Sequence, residues 1–121
     1  MKQLLVVLAV WLGAGQVAAA NDYQPIRDRS EFLSTIEGKT LQLRLFRISL
    51  SVLPDGSIDG NALGWPVKGS WKWEDGYFCR EMDWSGSPIP FNCQLVEVRG
   101  DDQLRFTVDQ GEGEAATFRL R

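Results

Sequence analysis

Histidine is absent from this sequence, and cysteine and methionine each occur only twice. Without histidine, the chain has no Ser-His or Cys-His nucleophile pair, no side chain that ordinarily titrates near neutral pH, and none of the commonest zinc ligand. Two cysteines alone do not complete a structural zinc site. We therefore expect no catalytic residue, no metal and no cofactor.

A basic surface is also lacking. The sequence has 13 Lys and Arg against 16 Asp and Glu, which gives a formal net charge of −3. The arginines are scattered, and no basic patch of the kind that neutralises nucleic-acid phosphates stands out. We expect no nucleic-acid partner, and the acidic balance mainly favours solubility.

Long apolar runs occur only near the N-terminus. Lys2 precedes an apolar run from Leu4 to Leu12, and Ala18-Ala19-Ala20 matches a small-x-small cleavage pattern. Residues 1–20 are therefore predicted to be a signal peptide, with a mature chain that begins at Asn21 in the periplasm or outside the cell. We expect no membrane insertion after cleavage. The alternative, an uncleaved anchor, requires a span at the short limit of length.

The two cysteines, Cys79 and Cys93, are separated by 13 residues. An even pair behind a signal peptide favours a structural disulfide, because exported proteins fold in oxidising compartments. The alternative is a redox-active pair, which usually has the spacing Cys-x-x-Cys at the start of a helix. The spacing here differs, and we predict a structural disulfide.

One short helix is predicted near the start of the mature chain, from about Arg29 to Glu37. Asp28 is a candidate N-cap, and Glu31 three residues later completes a capping-box pattern. Gly38 fits the position that ends a helix. Three residues form one apolar face of this segment, which we expect to plug or cap a sheet: Phe32, Leu33 and Ile36.

From Lys39 onward the apolar residues alternate with period two, which indicates strands joined by short turns rich in Gly and Asp. The phase slips at Leu45-Phe46, which predicts either a β-bulge or a break between two strands. Residues 83–90 are rich in Ser, Gly and Pro and are predicted to be a loop. The fold class is mainly β, a small antiparallel meander closing into a barrel of about eight strands. Residues 21–121 are predicted to be a single β-barrel domain.

Aromatic residues are dense in the middle of the chain. We interpret these aromatic residues mainly as parts of the core, since indoles fill small barrels efficiently. The alternative is a ligand cavity or a recognition surface, in which Trp65 and Trp84 are the residues most expected to be exposed, since both lie in predicted loops. Arg80, like Arg119, is also placed to stack on an indole. The candidate ligand- or partner-binding residues are Trp65, Trp71, Trp73, Tyr77, Arg80 and Trp84.

Two short motifs resemble known ligand sites. Residues 111–116 match Gly-x-Gly-x-x-Ala, but a dinucleotide site needs a following helix, and only residues 117–121 remain. Residues 55–60 resemble the start of a calcium loop, but Pro66 stands where the loop needs a bidentate Glu. We interpret both as turns. The acidic clusters in other predicted turns are interpreted as solvated hairpin tips, with a weak calcium site as the alternative.

The chain resembles two groups of proteins. Gly69-Ser70-Trp71 is similar to the Gly-x-Trp element of lipocalin-like (calycin) barrels, in which a late arginine, here Arg119, packs on the indole. A broader likeness is to small exported bacterial proteins of unestablished function, some labelled dihydrodipicolinate reductase. The segments that carry it are residues 38–41, 54–56, 67–73, 75–80 and 92–94. The resemblance does not imply that reductase activity here, since the chain lacks a Rossmann domain and any histidine.

These observations predict an exported, non-enzymatic β-barrel protein that binds a small apolar or amphipathic ligand or a partner in the cell envelope. A second hypothesis is a periplasmic protein inhibitor, similar to lysozyme inhibitors, that inserts the predicted loop 83–90 into an enzyme cleft. A third is an enzyme, either a carboxylate-based one or the labelled reductase. Exposed loop aromatics favour a partner, a hollow interior favours a ligand, and two facing buried carboxylates favour catalysis.

Overall fold

The computed structural model describes residues 22–121, so the predicted signal peptide lies outside the described residues. Nine strands, one α-helix and two 3₁₀ turns form this part of the chain. The strands and the helix are β1 Gln24–Ile26, α1 Arg29–Ile36, β2 Leu41–Leu43, β3 Ile48–Val52, β4 Ser57–Ala62, β5 Trp65–Glu74, β6 Tyr77–Trp84, β7 Ser87–Arg99, β8 Gln103–Thr107 and β9 Ala115–Leu120. The 3₁₀ turns span Arg44–Phe46 and Asp109–Gly111.

Eight strands close into an antiparallel barrel. Around the barrel the order is β7, β6, β5, β4, β3, β2, β9 and β8, and β8 pairs again with β7. Closure pairs strand edges that an open sheet of this length would leave exposed. The predicted fold class, a mainly β antiparallel barrel of about eight strands with one short helix, is confirmed.

The ninth strand, β1, lies outside the closed barrel. Its three residues pair with Val96 to Val98 of β7. β8 pairs with the opposite edge of the same part of β7. β1 therefore lies on the edge of β7 that pairs, nearer its N-terminal end, with β6. The sequence did not indicate this strand, because three residues are too few to show a period.

Three hairpins are joined by two-residue turns. In each turn both residues have positive φ, the conformation of the type I′ turns that match the twist of paired strands. The second residue is always glycine, which adopts this conformation without steric strain. The pairs are Leu63-Gly64, Asp75-Gly76 and Ser85-Gly86.

The prediction of a loop over residues 83–90 is wrong. β6 continues to Trp84 and β7 begins at Ser87, so that Ser85-Gly86 alone makes the turn. The prolines at positions 88 and 90 suggested a break, but they lie in a part of β7 that pairs only with β6. A strand edge without ladder hydrogen bonds tolerates proline.

The phase slip at Leu45-Phe46 is a break between two strands. The 3₁₀ turn Arg44–Phe46 separates β2 from β3 there, and Arg47 follows in the left-handed conformation with φ of 49°. Leu41 and Leu50 on either side of the break are neighbours across the two strands and are both buried. The break therefore keeps the apolar faces of both strands toward the core.

Helix α1 begins at Arg29 as predicted and ends at Ile36, one residue before the predicted end. The capping-box prediction is wrong in detail, because the Asp28 side chain forms no capping hydrogen bond. Gly38, with φ of 73°, turns the chain into β2. No helix within residues 22–121 has the length and apolar character needed to cross a membrane.

Phe32, on helix α1, lies at the centre of the core. Its side chain and the helix together close one end of the barrel. Phe32 is 0% exposed. Its ring centroid lies 5.5 Å from that of Trp71, 5.1 Å from that of Trp73, 5.2 Å from that of Phe78 and 6.4 Å from that of Phe106. Aromatic pairs at these separations are stabilising beyond the area they bury.

The predicted disulfide between Cys79 and Cys93 is present. The two residues are directly opposite each other on the neighbouring strands β6 and β7. Cys79 is buried. The bond therefore fixes the register of β6 against β7.

Candidate functional site

The barrel has two different ends. Helix α1 closes one end, where the Arg29 guanidinium donates a hydrogen bond to the Pro54 carbonyl at 2.8 Å and the Trp73 indole donates to the Arg27 carbonyl at 2.9 Å. The opposite end carries the turns at residues 44–47, 63–64 and 85–86 and the segment 108–114. An antiparallel meander places alternate turns at opposite ends, which is why these four connections lie together.

A cavity of about 290 Å³ occupies the barrel interior. Its volume is near the lower limit of small-molecule sites, which are typically concave, mostly apolar and lined by a few polar groups. Glu114 and Ala115 line it and are exposed, so the cavity opens at the end away from the helix. The other lining residues are Leu41, Leu50, Val52, Ile58, Phe78, Arg80, Met82, Gln94, Phe106, Val108, Ala116 and Phe118.

Arg80 is the cationic side chain of this cavity. It is half-buried on β6, and its Nη1 donates a hydrogen bond to the Pro90 carbonyl at 2.7 Å. Burial lowers the pKa of Arg80, because the charged guanidinium has lost part of its hydration. Arginine nevertheless stays protonated at neutral pH. The cavity wall therefore carries a positive charge among mainly apolar groups.

A β-bulge positions Arg80 and its acceptor. Arg80 pairs with Asn92 and Met82 pairs with Ile89, so two residues of β7 lie opposite the single residue between them on β6. One of the two is Pro90, whose carbonyl accepts the guanidinium hydrogen bond. Bulges bend a strand and re-aim its side chains, and they are frequent beside functional sites.

Gln94 is the second polar group of the cavity wall and is 6% exposed. It is the sole polar or charged residue in the buried set of residues 22–121. Within that range, no side-chain hydrogen bond involves its amide. Every side-chain nitrogen or oxygen that is completely buried there has a hydrogen-bond partner, so the unpaired amide is not completely buried. The amide therefore opens on the cavity, where a ligand or water can bind it.

The segment from Val108 to Glu114 forms one side of the cavity mouth. Asn92 holds it in place, because the Asn92 amide donates to Asp109 Oδ1 at 2.8 Å and its oxygen accepts from the Asp109 backbone at 2.9 Å. Asp109 and Gln110 have positive φ values of 57° and 56°. Such strained residues persist only where surrounding contacts fix them. The mouth is therefore braced on β7 beside the Arg80–Asn92 pair.

Trp71 and Trp73, two of the predicted binding residues, lie in the core beneath the cavity. Trp71 is buried, and its indole donates to the Leu53 carbonyl at 2.8 Å. Trp73 packs on Phe32. Both indole N–H groups have protein partners, so the structure assigns these two residues to the helix plug rather than to the cavity wall.

The other predicted aromatic residues are dispersed. Trp65 begins β5 rather than lying in a loop, and it is 61% exposed. Trp84 ends β6 and is half-buried, with its indole donating to the Ala62 carbonyl at 3.0 Å, so the expectation that it is exposed is wrong. Tyr77 begins β6 and is half-buried. Of the six candidate residues, Arg80 alone is among those that line the cavity.

The predicted stacking of Arg80 or Arg119 on an indole is wrong. The arginine that lies over Trp71 is Arg29, at 5.3 Å from the ring centroid. Arg119 instead pairs with Asp102 at 3.6 Å on the exposed outer face. Helix α1 packs against Trp71, and this contact, which joins distant parts of the chain, was not visible in the sequence.

Gln94 is the functional candidate that the sequence interpretation missed. Its signal was a polar residue in the same parity as Val96 and Val98, the apolar positions of β7. Polar side chains on a core-facing parity are rarely left buried without a partner. The sequence therefore contained this signal, but its interpretation gave more importance to the aromatic residues.

Several carboxylates lie in surface turns or form ion pairs. Hydrogen bonds from the Ser57 hydroxyl and backbone lower the pKa of Asp55 in the β3–β4 turn. The Lys68 ammonium, 2.8 Å away, donates to Asp59 and lowers its pKa. Residues 55–60 thus form a turn and the start of β4. Across residues 22–121, no group of three or more metal-binding side chains comes together.

An apolar rim lies at the open end of the barrel. Leu45 is 78% exposed, and Trp65 on the neighbouring hairpin is also exposed. The two tips are joined by a hydrogen bond from the Leu63 backbone to the Phe46 carbonyl at 3.2 Å. Phe46 and Leu63 are exposed as well. These four apolar side chains are therefore exposed together at the open end of the barrel.

No protein-family model, curated protein or solved structure matches this chain. The cavity and its polar groups are therefore the basis for assigning a function.

Proposed function

We propose that this protein is an exported, non-enzymatic binding protein whose barrel takes up a small apolar or amphipathic ligand. The observation that carries the proposal is the cavity of about 290 Å³, which is walled mainly by apolar side chains and opens away from the helix. Sites of this form, with few polar groups, are typical of small-molecule binding.

Export is part of the same proposal. The pattern of residues 1–20 supports a signal peptide. The Cys79–Cys93 disulfide supports folding in an oxidising compartment, in the periplasm or outside the cell. Native mass spectrometry of protein purified from the periplasm tests both points, since it reports the N-terminus and any retained ligand. A mass that still includes residues 1–20 contradicts cleavage.

Among the alternatives, the inhibitor hypothesis named a loop over residues 83–90 as the best candidate for insertion into an enzyme cleft. Those residues form a tight hairpin with a two-residue turn, so the segment is not the loop that was expected. A partner in the cell envelope is supported by the apolar rim at Leu45 and Trp65. The hypothesis of a carboxylate-based enzyme needs two facing buried carboxylates, and the buried residues within 22–121 include none.

Filling the cavity should weaken binding of a neutral apolar probe. Ala116 is half-buried on β9 and lines the cavity, whereas its neighbour Thr117 is exposed on the outer face. We expect Ala116→Phe to weaken binding of the fluorescent probe N-phenyl-1-naphthylamine about tenfold or more, a change of ~1.4 kcal/mol. Thr117→Phe, the matched control, should bind as the unmodified protein does.

Fluorescence titration measures the effect, and circular dichroism confirms that both variants are folded. Ala116→Leu, a smaller substitution, serves if the phenylalanine variant does not fold. Equal binding by the Ala116 and Thr117 variants, or no binding by the unmodified protein, would place the ligand outside this cavity and contradict the proposal.

A further inference from the structure

We infer that Arg80 and Gln94 form an anion site inside the barrel, and that the ligand is a small amphiphile with a single carboxylate and a compact apolar tail. This inference rests on the proposed function and specifies the ligand's chemistry. Its basis is a cationic side chain that lines a mainly apolar cavity and forms none of the ion pairs within residues 22–121.

The charge of Arg80 has no ionic partner in the described part of the chain. Four ion pairs form within residues 22–121, and none includes Arg80: Lys68–Asp59, Lys72–Glu74, Arg105–Glu97 and Arg119–Asp102. Glu114 lines the same cavity at its mouth, but it does not approach Arg80 within ion-pair distance. A partly buried charge without a partner is costly, and an incoming anion removes that cost.

Arg80 keeps most of its hydrogen-bonding capacity. The guanidinium has five N–H donors, and one donates to the Pro90 carbonyl. That contact fixes the side chain through the bulge and leaves further donors for a ligand. Two parallel donors of an arginine match the two oxygens of a carboxylate, and such charge-assisted pairs are stronger than neutral hydrogen bonds.

Gln94 is placed to complete the site. Arg80 is opposite Asn92 and Phe78 is opposite Gln94, so Arg80 and Gln94 are diagonal neighbours on the inner face of β6 and β7. Diagonal positions lie about 7–8 Å apart, within reach of long side chains that converge on one group. The Gln94 amide opens on the cavity and supplies a neutral N–H donor.

The apolar wall and the volume define the rest of the ligand. Leu41, Leu50, Phe106 and Phe118 surround the space beyond the two polar groups. A cavity of about 290 Å³ excludes a long lipid, and one arginine balances one negative charge rather than two. A short fatty acid and a compact aromatic acid share this chemistry, and both are included in the test.

The test compares a carboxylate with its neutral counterpart. Octanoate and octanol have the same tail length, and displacement of N-phenyl-1-naphthylamine at pH 7 measures both affinities. We expect the unmodified protein to bind octanoate about tenfold or more tightly than octanol, as charge-assisted pairing in a partly desolvated site predicts. Phenylacetate and 2-phenylethanol repeat the comparison with an aromatic tail and distinguish the two sources of carboxylate.

Variants of individual residues test which side chains produce the preference for octanoate over octanol. Arg80→Met should remove the preference for octanoate while octanol still binds, and Arg80→Lys should keep part of it, because lysine supplies charge without the planar pair of donors. Gln94→Leu should weaken octanoate alone. Arg119→Met is the matched control, since Arg119 lies on the exposed outer face, and it should leave both affinities unchanged.

The outcomes separate this inference from the proposed function. Equal affinity for acid and alcohol in the unmodified protein overturns the anion site while a binding cavity stands. Failure of the neutral probe and of every ligand to bind overturns the proposed function. Loss of octanol binding together with octanoate in a folded Arg80→Met protein shows that Arg80 shapes the cavity rather than binding the anion, and it overturns the inference.

Discussion

Replacing Phe32 with alanine should lower the free energy of unfolding by about 3–5 kcal/mol, the usual cost of removing a large aromatic side chain from a core. Phe32 is fully buried and contacts the rings of Trp71, Trp73 and Phe78. Through these contacts it packs helix α1 against the barrel. A domain of this size has a net stability of about 5–15 kcal/mol, so the change threatens folding itself.

Urea unfolding followed by tryptophan fluorescence measures this effect, because two of the aromatic residues that contact Phe32, Trp71 and Trp73, are indoles. Ser34→Ala is the matched control, since Ser34 is exposed on the same helix. We expect it to change stability by about 0.5 kcal/mol or less. A loss below about 1 kcal/mol for Phe32→Ala would contradict the assignment of Phe32 as the centre of the core.

Removing the disulfide with the double substitution Cys79→Ser and Cys93→Ser should lower the free energy of unfolding by about 3 kcal/mol, the chain-entropy value for a closed loop of roughly 15 residues. The two cysteines are 14 positions apart in the sequence. The bond joins strands that are already paired, so its main effect is on the unfolded chain, which it keeps from expanding. The effect should appear as a lower urea midpoint together with a steeper dependence of the free energy of unfolding on urea, because the released unfolded chain exposes more surface.

A reductant supplies the control for this measurement. It should destabilise the unmodified protein by the same amount and leave the double variant unchanged. The bond lies next to the Arg80–Asn92 pair and the bulge, so we also expect weaker octanoate binding in the double variant at the same temperature. If the stability of both proteins is equal in the absence of reductant, the disulfide has no role in stability.

The sequence predicted the local structure of the barrel well, because each signal is local. Alternation from Lys39 onward identified the strands, and Asp75-Gly76 identified a hairpin turn through its backbone requirements. Cys79 and Cys93 gave a pairing because no other cysteine exists. The one helix was placed to within a residue by its apolar face and by Gly38.

Features that depend on which strands become neighbours could not be predicted in this way. Residues 83–90 were interpreted as a loop because prolines are excluded from central strands, and the sequence does not reveal that this part of β7 has one unpaired edge. β1 is too short to show a period, and only its contact with Val96 to Val98 makes it a strand.

The candidate site illustrates the same limit. Tryptophans drew attention because they are large and rare, yet Trp71 and Trp73 serve the core around Phe32. Arg80 was singled out for stacking on an indole, whereas its position is set by the bulge and the Pro90 carbonyl. The parity of Gln94 within β7 was the informative signal, since an amide on an apolar face needs a partner.

The closure of one barrel end by packed aromatic rings has a kinetic consequence. The cavity opens beside Glu114 and Ala115, and at its other end lie Phe78 and Phe106, which pack on the helix. A ligand bound there as proposed must leave by the opening through which it entered, and a second cannot push it out from behind. Replacement of one such ligand by another would therefore be strictly sequential. The replacement rate would level off at the dissociation rate of the first ligand, however concentrated the second becomes.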